Sequence, residues 1–250
     1  MFVSKDFTFN DIEGKSKGIY LVTFDSDVLV SRGNKYTRNI SSDEFSRKNP
    51  LFNINDNESE EITLNFMYLD ENMIPQRWTE GKLTEVRNWF KTDDFAPFIS
   101  QDNPNYINYF MMTSMENKLI PVQGIGVLEV VFKPLNCYVY KKYEDIVTIT
   151  SNTTININNP SDEEYRPILK ITNLGDSATI NKIGSLEISG LDANETVIVD
   201  NLMLTVLDEN DNNKFSKCNR NWLTLEVGNN VIPVSGNYKL QIFAEFPILL

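Results

Sequence analysis

The sharpest alternation of apolar and polar positions is Val127-Leu128-Glu129-Val130-Val131-Phe132-Lys133, led in by Gly124 and Gly126 and closed by Pro134. A period of two marks a strand with one face buried. The same reading predicts strands at Phe7-Thr8-Phe9-Asn10-Asp11-Ile12, Ile19-Tyr20-Leu21-Val22-Thr23-Phe24, Val28-Leu29-Val30, Ile62 to Leu69, Phe98-Ile99 and Tyr106 to Met112. Asp25-Ser26-Asp27, Asp93-Asp94 and Asp102-Asn103-Pro104-Asn105 read as turns. One segment changes period. Leu83, Val86 and Phe90 fall at i, i+3 and i+7, Trp89 widens the stripe, and Glu80, Glu85, Arg87 and Lys91 lie outside it. That spacing predicts a helix near 80–91, capped by Thr79 or a neighbour. Gly81 weakens its first turn by about 1 kcal/mol, so the helix must lean on tertiary packing.

Beyond a module boundary near Leu135 to Lys142, asparagine becomes frequent and aromatic residues thin out. Short strands recur at Ile146-Val147-Thr148-Ile149, Thr153 to Ile157, Pro167 to Ile171, Ala178-Thr179-Ile180 and Leu186-Glu187-Ile188. Thr196 to Val199, Leu202-Met203-Leu204-Thr205-Val206, Leu223-Thr224-Leu225, Asn230 to Val234 and Tyr238 to Phe246 continue the series. Many short strands at this spacing predict a β-sandwich. Ser31 to Glu61 stands apart, with Arg32, Lys35, Arg38, Arg47 and Lys48 but few large apolar residues. It reads either as an exposed hairpin or loop, or as an arm that orders against a neighbouring subunit.

Composition narrows the chemistry. The 250 residues carry a formal net charge of -12, which argues against gripping a nucleic-acid backbone but not against letting DNA pass. There is no histidine, which removes Ser-His-Asp, Cys-His and histidine-zinc sites. The opening Met1 to Phe7 lacks the pattern of a signal peptide, and no apolar run approaches the ~20 residues of a membrane helix. Synthesis and folding in a cytoplasm are expected, with Cys137 and Cys218 as buried thiols in preference to a lone disulfide.

Each candidate site has a plain structural reading. Asp208-Glu209-Asn210-Asp211-Asn212-Asn213 resembles the start of a calcium loop, but Asn213 replaces the required glycine and Asn219 the bidentate glutamate. It reads as a polar turn. The pairs Glu60-Glu61, Asp93-Asp94 and Glu163-Glu164 read as solvated charge, since a glycosidase needs two carboxyls facing across a cleft. Trp78, Trp89, Trp222 and the tyrosines could stack on sugars. In the second module, Trp222 and Tyr238 are the aromatic residues at plausible exposed positions. Gly124-Ile125-Gly126 lacks the following helix of a dinucleotide fingerprint. No catalytic, cofactor or metal residues are assigned.

The order of elements resembles the distal tail proteins of long-tailed phages that infect Gram-positive bacteria. A helix carrying Arg87 ends in Trp89-Phe90, and Asp102-Asn103-Pro104-Asn105-Tyr106 follows. Next come a Gly-led strand with Val130, Phe132 and Pro134, and the aromatic residues Tyr138 and Tyr140. Arg166 to Ile171 matches a Pro-Ile-x-x-Ile strand, Asp208 to Trp222 an Asn-rich loop, and Leu225-x-x-Gly228-x-Asn230-x-Ile232 the turn before the final strand. The resemblance spans Trp78 to Phe246. The first 60 residues depart from it, without the Arg-Asp-Gly turn that many members of the family show.

The resemblance implies a mainly β protein of two β-sandwich modules. The first, 1–138, would build a ring and carry the helix near 80–91 and a hairpin or arm near 31–61. The second, 139–250, would be galectin-like and point outward. The implied role is structural and non-enzymatic, without cofactors: a homo-hexameric hub at the virion's tail tip, synthesised in the host bacterial cytoplasm. It would join the tail tube protein to the baseplate hub or tail-associated protein, with a tape measure protein or receptor-binding proteins as further candidate contacts. DNA would pass through a neutral or acidic lumen without specific binding, and no membrane is involved. The alternatives are a carbohydrate-binding host-adhesion module and, against the missing histidine, a β-sandwich glycan hydrolase.

Overall fold

Phe7 and Phe9 begin the first strand, and their rings open the aromatic core of the first half of the protein. The computed structural model describes residues 5–22, 36–43 and 51–249, with 36–43 and 51–59 as backbone alone. The expected turn at Asp25-Ser26-Asp27 and the strand Val28-Leu29-Val30 lie outside the described residues, as do parts of the arm. The chain divides into two units, Met1–Val139 with Leu249–Leu250, and Tyr140–Ile248.

The first unit contains β1 (Phe7–Phe9), β2 (Ile12–Glu13), β3 (Ile19–Val22), β4 (Tyr36–Asp43), β5 (Leu51–Ser59) and β6 (Ile62–Tyr68). After α1 (Glu80–Phe90) come β7 (Ala96–Ser100), β8 (Tyr106–Leu119) and β9 (Gly126–Pro134). Seven strands pair antiparallel in the order β2-β1-β7-β8-β9-β6-β3. The sheet curls until its edges approach, because Leu21 of β3 donates its N–H to the carbonyl of Lys5, just before β1, at 2.9 Å. Rings from its two halves therefore face each other, with Phe7 to Phe66 at 5.1 Å and Phe9 to Phe132 at 5.8 Å. β4 and β5 pair only with each other, as a separate two-stranded antiparallel sheet among the described residues.

The helix seals this core along the expected stripe. Val86, Trp89 and Phe90 are buried, and Leu83 packs against them. The Thr79 side chain caps it by accepting from Lys82 N at 3.2 Å. A Cβ built on Gly81 meets nothing within 4 Å. Gly81→Ala is therefore expected to stabilise the protein by about 0.5–1 kcal/mol, as the denaturation midpoint will show.

The predicted strand from Phe7 to Ile12 is two strands and a tight turn. Asn10 and Asp11 both adopt left-handed backbone (φ 47° and 60°), which suits a two-residue hairpin and which short polar side chains tolerate. β8 runs to Leu119, past the apolar segment that predicted it, because β9 pairs with it along that length.

The second unit contains β10 (Val139–Ile149), β11 (Thr153–Asn159), β12 (Ile168–Asn173), β13 (Ile180–Ile183), β14 (Leu186–Ser189), β15 (Thr196–Asp200), β16 (Thr205–Asp208), β17 (Gly228–Ser235) and β18 (Tyr238–Ile248). One sheet runs β10-β18-β12-β15-β16 and the other β11-β17-β13-β14. Alternate residues of both point inward, among them Leu169, Ile171, Val197 and Leu240 from the first and Ile157, Ile183, Ile188 and Ile232 from the second. They form one aliphatic core between two layers, a β-sandwich. Cys137 and Cys218 are buried thiols, one in each unit.

Three expected strands differ here. Leu202, Met203 and Leu204 form a turn, because the Asp200 carboxylate accepts Leu202 N at 2.9 Å and Met203 N at 2.8 Å and Leu204 adopts φ 57°. Ala178 and Thr179 are turned in the same way by Asp176, so the strand starts at Ile180. Leu223 to Leu225 contributes only an isolated bridge between Leu225 and Tyr165.

Candidate functional site

The acidic loop singled out for chemistry is already partnered within itself. The Asp208 carboxylate accepts from the backbone N–H of Asn210 and Asn212, both at 2.9 Å, and from the Asn212 side chain at 3.1 Å. Those bonds, from Asn212 above all, hold its pKa below the usual carboxylate value, and the Lys214 ammonium lies 3.6 Å away. The loop is an aspartate-organised turn in which a lysine stands where a cation would. Glu60-Glu61, Asp93-Asp94 and Glu163-Glu164 are all exposed. Among the described residues no group of three acids or cysteines is placed to hold a metal, and no helix is long and apolar enough to cross a membrane.

The aromatic candidates are mostly core. Trp78 and Trp89 are buried, and their indole N–H groups donate to Gly126 O (3.0 Å) and Phe9 O (3.1 Å), tying helix and loop to the sheet. Trp222 is half-buried beside Phe215, 6.0 Å between centroids. Tyr238, expected to be exposed, is fully buried and donates its hydroxyl to Lys182 O at 2.7 Å. It opens the last strand but faces inward, so the proposed sugar-stacking pair does not exist. Burial pushes the Tyr238 phenol well above its ordinary value of 10.0. A raised folded-state pKa contributes stability that is fully present below pH 10 and lost as pH rises beyond it. Tyr238 alone is expected to lower stability by up to about 1.4 kcal/mol per pH unit above pH 10, and Tyr238→Phe should reduce the slope by that share in denaturation measured from pH 8 to 12, the raised Tyr143 and Tyr165 phenols supplying the remainder.

Two open clefts, about 640 and 650 Å³, flank α1 and share Ile12, Lys17 and Glu85. At their junction Glu85 accepts from Lys82 (2.9 Å) and Lys17 (3.0 Å), while these ammonium groups sit over Tyr68 and Trp89 at 5.1 and 5.7 Å. The hydrogen bonds from Lys82, then Lys17, lower the Glu85 pKa. This carboxylate is held ionised and engaged, a brace for the helix and a poor general acid. In the second unit Tyr143, Tyr165, Ile168 and Phe243 line a cleft of about 420 Å³ with Lys142 and Glu245 at its rim. The Tyr165 hydroxyl there accepts from Glu245 N at 3.0 Å.

What the sequence reading missed are four buried asparagines of the second unit, Asn159, Asn173, Asn181 and Asn201, each at most 1% exposed. Asn173 donates to Leu191 O at 2.9 Å and accepts from the Asn181 amide at 3.1 Å. Asn159 donates to Glu163 O at 2.8 Å and accepts from the Ser161 hydroxyl at 2.6 Å. The sequence shows them only as part of the asparagine enrichment of the second module. A fixed polar brace leaves no periodic signal, so asparagine abundance near strand ends was the one available clue.

The architecture is therefore mainly β, with antiparallel β-sandwich units and, among the described residues, one α-helix and exposed turns. The family described as phage tail protein N-terminal domain matches residues 2–133, more than half of the chain, and this protein belongs to that family. Among solved structures, the Dit protein of SPP1 is similar in fold, with a TM-score of 0.62 and 10% identity over 96% of this chain and 98% of that one. It is described as a paradigm of the hub adsorption apparatus in phages that infect Gram-positive bacteria. Chains from the phage P2 baseplate in its activated conformation, with calcium and with strontium, align at TM-scores of 0.47 and 0.44, each at 10% identity. They cover 96% and 95% of this chain, and 97% of theirs. No curated protein matches the chain. The distal-tail resemblance read from the order of motifs is thus met by the fold of a distal tail protein and by a phage tail family.

Proposed function

We propose that this chain is the structural, non-enzymatic hub of the tail tip, a hexameric ring between the tail tube protein and the baseplate hub or tail-associated protein. The observation that carries this reading is a shared fold with a hub protein over nearly the full length of both chains. On it, the ring-building part is 1–138 and the outward part is the galectin-like sandwich of 139–250. DNA crosses the lumen without specific binding. Six copies of a chain with net charge -12 bring 6 × -12 = -72 charges, which favours sliding over adhesion of a polyanion.

The hairpin supports the ring. β4 and β5 are eight and nine residues long and form their own sheet. A lone two-stranded hairpin is marginal in water and gains stability by packing on another surface. In a ring that surface is the neighbouring subunit. Replacing 35–57 with a short Gly-Ser linker is expected to leave a folded monomer, read by native mass spectrometry. A deletion variant that still forms the parental oligomer would exclude the hairpin as the inter-subunit arm.

A further inference from the structure

Two turns of the first unit display large apolar residues in a backbone conformation that such residues avoid. Met73 stands at φ 64° and Val122 at φ 70°. Left-handed backbone is rare outside Gly, Asn and Asp, and for a β-branched residue it is an outlier of the kind found at binding sites. Val122 is 97% exposed, and Ile74 and Ile120 are 56% and 52% exposed. Neither folding nor burial accounts for keeping these side chains there.

The register puts both turns at one end of the sheet. Met67 of β6 pairs with Val127 at the start of β9, and Leu119 pairs with Gly126 to close the β8–β9 hairpin. The link between them is rigid. Trp78 donates its backbone N–H to Gly124 O at 2.9 Å and its indole N–H to Gly126 O at 3.0 Å. The Asp70 carboxylate accepts from Asn72 N at 2.9 Å and Ile74 N at 2.8 Å, which fixes the first turn. Ile120 N donates to Ile125 O at 2.8 Å and Gly124 N to Ile120 O at 3.0 Å, which fixes the second. Apolar residues prepaid in this way bind with little further ordering.

The flanking charge identifies the occupant. Asp70, Glu71, Glu80 and Glu129 outnumber Arg77 and Lys118 in these segments, and Lys118 is paired with Glu129. The same end of a second copy would set an acidic rim against an acidic rim, which opposes pairing of this face with itself. We propose that this knob of Met73, Ile74, Ile120 and Val122 docks into an apolar groove bordered by lysine and arginine on a different tail protein. The proposal rests on the hub reading for its setting, and supplies the surface and partner chemistry that reading lacks.

The test places a benzophenone amino acid at position 122 of the full chain in assembled tails. Irradiation is expected to give an adduct with a different tail protein, identified by mass spectrometry. That protein, expressed alone, should bind the full-length chain, and at least tenfold more weakly when NaCl rises from 0.05 to 0.5 M. Val122→Gly relieves the backbone constraint while removing the knob. It should leave the melting temperature equal or higher and weaken binding at least tenfold, with the native mass of the isolated chain unchanged. The inference is overturned by an adduct only with other copies of this chain, by no adduct at all, or by binding within twofold of the parent for Val122→Gly or across that salt range. Failure of the ring itself would appear separately, as a native mass that is not hexameric.

Discussion

Phe90→Ala is expected to cost the first unit about 3–5 kcal/mol, the range for deleting a buried phenylalanine ring. Phe90 is 0% exposed. Its centroid lies 5.0 Å from Phe66, 5.3 Å from Phe9 and 5.6 Å from Phe132, so it touches three strands of the curled sheet at once. These rings project from a rigid sheet and have little freedom to close the void. The loss should therefore fall toward the upper end, since the cavity term adds to the transfer term. The helix depends on this ring more than on its own propensity, because an isolated eleven-residue helix is marginal in water. Urea denaturation followed by the fluorescence of Trp78 and Trp89 measures the effect. Asn88→Ala, on the exposed face, should stay within about 0.5 kcal/mol.

Asn201→Ala should be the costliest single change at the apolar turn of the second unit, at about 3 kcal/mol. The side chain is 0% exposed, donates to Pro167 O at 2.6 Å and accepts from Leu223 N at 2.7 Å. Truncation leaves a buried carbonyl and a buried N–H without this partner, and each such group costs about 1–3 kcal/mol. Asn201→Asp separates the two bonds. An ionised carboxylate still accepts from Leu223 N but faces the Pro167 carbonyl, so burial and repulsion raise its pKa. That raised value makes its contribution full below the unfolded value of about 4 and lost as pH rises. Denaturation of Asn201→Asp at pH 4 and pH 8 should show the larger deficit at pH 8.

The parts of the fold that were legible have a period. Leu83, Val86, Trp89 and Phe90 announced the helix and its buried face, and the alternation from Val127 to Lys133 announced β9 with its inward Leu128, Val130 and Phe132. Where tertiary contacts override a local pattern, the reading failed. Leu202-Met203-Leu204 has strand composition, yet one aspartate carboxylate bends it into a turn that exposes all three. Tyr238 sits just after a turn and looked solvent-facing. Its pairing with Asn173 fixes the register of β18 and turns the ring inward. The exposed turns at Met73 and Val122 were illegible for the same reason, since positive φ at an apolar residue leaves no mark in composition.

The motif order was informative because each short piece sits on an element that the sheet needs. Trp89-Phe90 ends the helix that plugs the core, Val130 and Phe132 line that core, and Asn230 accepts from Glu226 N at 2.8 Å to shape the turn into β17.

The hub account stands most directly on the number of copies in the assembled particle. Native mass spectrometry of the full-length chain should give six copies of 28.8 kDa, about 173 kDa. A single species at 28.8 kDa at every concentration tested, alone and with the neighbouring tail proteins present, would contradict it.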